Sequence, residues 1–261
     1  MLKFTLVSSI AVATAFFAAD QAGARTVSIP FNAANFPAQP TIDNTYFPLV
    51  PGTTYTYKAG TKDGCEEDVV AVTFQTLLID GVETLVVHDQ VFDGDACTSD
   101  PSALTEDTLD YYAQDQNGNV WYFGEDTFDC EGANNCTAGD GTWRAGVNGG
   151  VPGIVMLAHP RSGDTYRQEF SEGVAEDQAT VTAVGITARL SRDDAIQSSF
   201  ANCILTKEFS ALEKGSIGSK TYSPGVGVVI DIDHHGKILT SELVSISGTA
   251  NALRIRRPPK H

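Results

Sequence analysis

From residue 46 onward, apolar and polar side chains alternate over short stretches, and dipeptides that favour tight turns separate the stretches. Two such runs, Phe74–Ile79 and Val82–His88, flank Asp80-Gly81. Asp-Gly tolerates the positive φ angles of a type I′ turn, so this segment predicts a two-residue β-hairpin. A second hairpin is predicted over Leu109–Phe123, where Asn117-Gly118 separates two aromatic-rich strands. A third starts at Gly227 and turns at His235-Gly236, followed by the alternating segment Glu242–Ile246. Further strands are expected at Thr53–Lys58, Val69–Thr73, Tyr166–Phe170, Ala179–Thr182 and Ile204–Phe209.

Helical spacing is scarce. Asp193–Phe200 has a short helical look and lacks a second turn of apolar spacing. Ala145–Pro160, rich in glycine and proline, is expected as the longest loop, either a lid over a cavity or a connection between two halves of a sheet. Strand after strand joined by tight turns predicts an all-β, mainly antiparallel domain. Its architecture is expected to be a curved half-barrel or barrel-like sheet with little helix.

The chain ends read differently. Lys3, the apolar run Leu6–Ala19 and the small-x-small sequence Ala22-Gly23-Ala24 form a secretory signal peptide over residues 1–24, cleaved after Ala24. The run is too short to span a ~30 Å hydrocarbon core, so no stable membrane anchor is expected and the product is periplasmic or secreted. Residues 25–45 then form an N-terminal extension, 46–249 a single β-rich domain, and 250–261 a basic tail with the character of a disordered end.

Charge and cysteine usage narrow the picture. The formal net charge is −16, and Arg25–Leu253 alone holds 12 basic against 32 acidic side chains, a net of −20. Such a body repels phosphate backbones, which excludes nucleic acid as a partner. It suits cationic partners or a divalent cation, and it also serves plain solubility. Five cysteines in an exported chain read as disulfide candidates. Cys130 and Cys136 bracket a Gly/Asn-rich loop, Cys65 and Cys97 lie in Gly/Asp-rich connections, and Cys203 is left as a buried small hydrophobe. No CxxC spacing is present to suggest zinc or thioredoxin-like chemistry.

The stretch Tyr111–Asp126, together with Gly163–Glu169 and Tyr222–Val229, resembles a family of uncharacterised exported bacterial proteins over most of Tyr46–Ile246. Tyr222–Val229 is also similar, more weakly, to the last hairpin entry of LolA-like half-barrel proteins. That second resemblance implies a concave sheet that holds an apolar ligand.

Candidate chemistry centres on the second hairpin. If Asn117-Gly118 is a two-residue turn, Gln114 faces Trp121, Tyr112 faces Phe123 and Asp110 faces Glu125. One face then carries rings near the turn and Asp110, Glu125 and Glu106 away from it. Opposed carboxylates roughly 5 Å apart are destabilising unless a cation, a lysine or a raised pKa compensates. Lys207 is a candidate charge partner, and the reading of this face as simply solvated stays open.

Other site types fit poorly. Asp115-x-Asn117-x-Asn119 begins like a Ca²⁺ loop, but Val120 stands where glycine is required. His234 and His235, adjacent on a strand, point to opposite faces and are poorly placed to share a metal, although with Asp231 and Asp233 beside them they could still contribute to a site. No nucleophile elbow, HExxH helix or phosphate loop occurs. Glu106 and Asp110 lie about 13 Å apart along a strand, too far for either glycosidase geometry.

Two functional readings follow. The first is a carrier or binding protein for a small-molecule ligand, with an apolar or aromatic-contacting pocket lined by Tyr112, Trp121, Phe123 and His88. The second is an enzyme of unassigned class using an acidic/His cluster of Asp110, Glu125, Glu106, Glu169 and His88, with or without a metal. No cofactor is indicated beyond a divalent cation. A structural or interaction module fits the composition equally and has no positive signature.

Overall fold

Alternation of more and less buried side chains is clearest in Thr53–Gly60, where every second residue is buried as far as Ala59, whereas Val151–Met156 is buried along nearly its whole length. The computed structural model describes residues 25–61, 64–212, 215, 217–233 and 239–248. The segment expected as a signal peptide, the basic tail and the turn expected at His235-Gly236 lie outside the described residues.

The strands in chain order are β1 (Arg25–Thr26), β2 (Thr53–Gly60), β3 (Cys65–Ile79), β4 (Val82–Gly94), β5 (Leu104–Gln114), β6 (Val120–Cys130), β7 (Cys136–Ala138) and β8 (Trp143–Arg144). They continue with β9 (Val151–Met156), β10 (Asp164–Arg167), β11 (Glu169–Phe170), β12 (Asp177–Arg189), β13 (Ser199–Ser210), β14 (Gly218–Ser223), β15 (Gly227–Asp233) and β16 (Leu239–Gly248). Helix among the described residues is confined to short 3-10 turns at Ala33–Asn35 and Pro101–Ala103. One sheet runs β1-β10-β12-β13-β14-β15-β16-β2-β3-β4-β5-β6-β9-β11, with β7 and β8 added beside β6. Its pairings are antiparallel except for β1 with β10. The fold is therefore an all-β curved sheet that is not closed into a barrel. Its two ends approach each other at a seam, where the Tyr166 hydroxyl donates to the Val155 carbonyl at 3.4 Å.

The first hairpin turns as its sequence predicts: Ile79 pairs with Val82, and Asp80 and Gly81 take φ of 45° and 81°. Two expectations need correction. Ala145–Pro160 is not one long loop, because Val151–Met156 forms β9 between β6 and β11. Gly153 serves close approach there, since a Cβ on it would lie 2.3 Å from the Gln168 carbonyl. Asp193–Phe200 holds no helix. Its backbone is tied across the sheet instead, with Ile196 N donating to Leu243 O at 3.2 Å, and Ser199 and Phe200 already belong to β13.

Two large apolar clusters form, with a small third around Phe92, Leu104 and Cys130. Along β6 the side chains divide by parity: Val120 joins the first cluster, while Trp121 and Phe123 join the second. Residues 25–45 are docked. Arg25 pairs with Asp164 at 2.7 Å, and Phe31 and Phe36 pack edge-on or tilted against Trp121 and Phe123. Disulfides join Cys65 to Cys97 and Cys130 to Cys136, and Cys203 is free and buried. Paired cysteines of this kind persist in oxidising compartments, which argues for a site of action outside the cytoplasm.

Candidate functional site

The second hairpin sets the geometry, and its turn differs from the sequence expectation. Asp115–Asn119 form a five-residue loop, with Asp115 N donating to Asn119 O and Gly118 N to Asp115 O, each at 2.9 Å. The Asp115 carboxylate organises it by accepting from Asn117 N, Asn119 N, Asn119 Nδ2 and Trp121 Nε1. Four donors on one acceptor outweigh the local preference of Asn-Gly for a two-residue turn. Gln114 therefore pairs with Val120, Ala113 with Trp121 and Tyr112 with Tyr122.

A bulge then restores the lower register. Gly124 takes φ of 127°, and a Cβ there would lie 2.2 Å from the Trp143 carbonyl oxygen. Below it Asp110 pairs with Glu125 as the spacing predicts. Tyr122 stacks on Tyr112, with ring centroids 4.9 Å apart and planes 26° apart. Its hydroxyl donates to Asp110 Oδ1 at 2.5 Å.

Inside the curve of the sheet lies a cavity of about 420 Å³. Phe47, Tyr55, Tyr57, Val87 and Tyr112 give it aromatic and aliphatic walls. Among the described residues, seven carboxylate side chains (Glu66, Asp68, Asp89, Glu106, Asp110, Asp231 and Asp233) and a single lysine, Lys220, also border it. A second hollow of about 440 Å³ adjoins the first, sharing Lys220, Asp231 and Asp233, and is lined further by Glu125, Glu169, Asp177 and Glu208. Lys220 Nζ stands 3.4 Å from Glu208 and 3.7 Å from Asp231. Residues 42–49 bring Phe47 to the wall. Asn44 Oδ1 accepts from Tyr46 N and Phe47 N, and Asn44 Nδ2 donates to Gly118 O and Leu157 O.

Asp110 and Glu169 are buried, and others of the set are partly shielded from water and close to one another, while Glu106 and Asp233 are exposed at the rim. For the shielded acids the charged form is disfavoured. Desolvation, then repulsion from Asp89 and Glu106, raises Asp110 to about 7 against the Tyr122 hydrogen bond and Lys220. Desolvation followed by the charge of Asp110 raises Glu125 to about 8. Glu169 rises to about 8 through desolvation and then Asp177, although Trp143 Nε1 donates to it at 3.0 Å. Asp68 and Asp89 share a hydrogen bond. Burial lifts Asp68 to about 6, and burial plus the charge of Asp68 pushes Asp89 well above the ordinary carboxylate range.

The candidate residues divide accordingly. Asp110, Glu106 and Tyr112 border the first cavity, and Glu125 and Glu169 border the second. Trp121 and Phe123 do not line either. The Asp115 loop shifts the register by one, which turns them to the opposite face beneath Phe31 and Phe36. His88 also points away, because its neighbour Asp89 faces the cavity; its Nε2 lies 2.5 Å from Asp107 Oδ1. Lys207 is exposed beside Phe209, and the cation of the interior is Lys220. Asp68 and Asp89 were not anticipated, and Asp231 was expected only as a companion of His234 and His235. The alternating Glu66-x-Asp68-x-Val70 and Val87-x-Asp89-x-Val91 patterns carry the signal that they share a face. Among the described residues no group of three or more His, Cys, Asp or Glu converges in a metal-holding arrangement.

No protein-family profile matches the sequence, and no curated relative matches it. Two solved structures show a distant similarity to the chain. One is a candidate lipoprotein from Parabacteroides distasonis, 14% identical over 78% of this chain and 100% of that one, with a TM-score of 0.40. The other is a candidate exported protein with a YmcC-like fold from Bacteroides fragilis, 15% identical over 78% of this chain and 99% of that one, with a TM-score of 0.32. Neither is described as a LolA-like half-barrel. Nothing about function follows from likeness of this degree.

Proposed function

We propose that this protein binds a small molecule outside the cytoplasm, in the hollow enclosed by its curved sheet. The observation that carries the reading is the cavity itself, about 420 Å³ with aromatic walls beside buried acids. Folding alone does not favour such a space. Packed interiors leave few voids larger than water, and buried carboxylates left without full pairing are destabilising. A binding protein keeps both because its ligand supplies the missing contacts. The same reading gives the two disulfides a setting, a periplasmic or secreted protein that begins at Arg25 after export.

Purification from the native host under gentle conditions, followed by native mass spectrometry, tests it. The expected result is a mass above that of the chain by one small molecule, lost on denaturation. A bare chain mass, with no thermal stabilisation by host extract, counts against binding. The same spectrum reads the N-terminus, expected at Arg25.

One observation favours a second reading, catalysis. Asp110 and Glu125 are cross-strand partners whose pKa values, about 7 and about 8, would leave a carboxylic acid protonated near neutral pH. Substrate turnover abolished by Asp110→Asn would favour it, and binding of a ligand recovered unchanged would not.

A further inference from the structure

We infer that the ligand is an organic amine, an ammonium group on an apolar body, and that Asp68 and Asp89 seat its charge. The inference rests on the binding reading of the hollow and names the class of molecule bound there. Three observations carry it.

The first is a pair of acids with no partner but each other. Asp68 Oδ1 and Asp89 Oδ1 are closed off from solvent, and no N–H or O–H group among the described residues donates to them beyond the hydrogen bond the two carboxyls share. That bond requires one carboxyl to keep its proton, and a cationic donor that would let both ionise is not supplied by the chain. They lie on neighbouring strands, β3 and β4, where Asp68 pairs with Val91 and Val70 with Asp89, and both border the cavity.

The second is the sign of the wall. Its one lysine among the described residues, Lys220, is already held between Glu208 and Asp231. The Tyr55 hydroxyl donates to Pro48 O at 3.3 Å, and the Tyr57 hydroxyl to Val228 O at 3.2 Å, which leaves neutral hydroxyls such as that of Tyr112 as donors to a guest. An anionic guest would therefore meet carboxylates and a committed lysine. An ammonium brings three donors to a wall of acceptors, in the manner that Lys220 already demonstrates on its own side.

The third is the type of cation. A divalent ion needs several oxygens converging on one point, and the described residues form no such group. An ammonium accepts a looser arrangement, and the rings of Phe47, Tyr57 and Tyr112 beside the acids suit an apolar body attached to it. Burial that keeps Asp68 and Asp89 from ionising freely agrees with this: a cation between them replaces the proton they share.

The test is titration calorimetry at pH 7 on the protein with both disulfides intact, using phenethylamine, phenethyl alcohol and phenylacetate. The three share one ring and chain and differ in head-group charge. Phenethylamine is expected to bind at least roughly tenfold more tightly than the alcohol, with phenylacetate weakest. Asp89→Asn keeps the shape and a donor toward Asp68. It is expected to weaken amine binding roughly tenfold or more while leaving alcohol binding and circular dichroism unchanged. Equal affinity for amine and alcohol, or tightest binding of phenylacetate, overturns the inference and leaves the binding reading standing. No binding of any probe overturns the inference. Together with a bare chain mass from the native host, that result overturns the binding reading as well. The ranking of the three probes on the unmodified protein decides the matter even if the variant fails to fold.

Discussion

Replacing Asp110 with asparagine removes a buried acid and keeps its surroundings, because the amide oxygen still accepts the Tyr122 hydroxyl. Asp110 is 8% exposed, so its environment is that of the interior and calls for no discount for solvent screening. Its carboxyl is raised from 3.8 to about 7, first by desolvation and then by Asp89. Well below pH 3.8 both folded and unfolded chains hold this proton, and it costs nothing. As pH rises the unfolded chain releases it first, so the folded state binds more protons and wild-type stability falls. The loss is complete above the folded value. At 1.36 kcal/mol for each step of one in pKa, it amounts to about 4 kcal/mol. Asp110→Asn abolishes it, and also removes the repulsion that helps to raise Glu125. Relative to wild type, the variant is therefore expected to gain about 1 kcal/mol at pH 4.5 and about 4 kcal/mol at pH 8. Urea unfolding at the two pH values, with disulfides intact, measures the difference. A gain that does not grow with pH, or a net loss at pH 8, refutes the placement of this acid in a dry, like-charged interior.

Three further variants examine the frame around the hollow. Asp115→Ala leaves Asn119 N and Trp121 Nε1 without their acceptor, and a loss of roughly 3 kcal/mol is expected, with faster hydrogen exchange at the Asn119 amide. Unchanged exchange there would remove the Asp115 loop as the cause of the register. Gly124→Ala forces a Cβ to within 2.2 Å of the Trp143 carbonyl oxygen at a φ of 127°. It should destabilise by roughly 2–3 kcal/mol, and a neutral result in thermal unfolding speaks against the bulge. The double variant Cys65→Ser, Cys97→Ser opens a link spanning 32 residues. Its urea midpoint should fall by the equivalent of roughly 2–5 kcal/mol, and an unmoved midpoint would mean that this bridge contributes nothing.

Strand chemistry made much of the architecture legible in advance. Alternation and Asp-Gly placed β3 and β4 with their turn, since local propensity and tertiary pairing agree there. Both disulfides were readable from where the cysteines stood relative to turns. The Asp110–Glu125 pairing was anticipated from a two-residue turn, and the structure reaches it by another route, a five-residue loop compensated by a bulge at Gly124. That double shift is invisible to a period-two reading. It depends on the Asp115 side chain and on the approach of Trp143, which is 19 residues away along the chain. The same shift carried Trp121 and Phe123 out of the expected pocket. β9 was missed because glycine and proline mark loops by propensity, whereas Gly153 is required by the nearness of Gln168. The interior acids were overlooked for another reason. Asp68 and Asp89 sit on paired strands whose alternation is readable, but that their common face is the enclosed one emerges only from the curl of the sheet, which brings β15 and Asp231 to the same cavity.

The central physical claim is that acids inside the sheet are withheld from water and from full pairing. A carboxyl carbon NMR titration of the ligand-free protein, with aspartate and glutamate labelled, measures this residue by residue. Asp110, Glu125 and Glu169 are predicted to titrate above pH 6 and Asp89 well above the ordinary carboxylate range, apart from surface carboxylates such as Asp100, which the Ser102 amide and hydroxyl hold below the usual range. Should all of them titrate together near pH 4, the interior is ordinary wet surface, and the enclosed binding site described above does not exist.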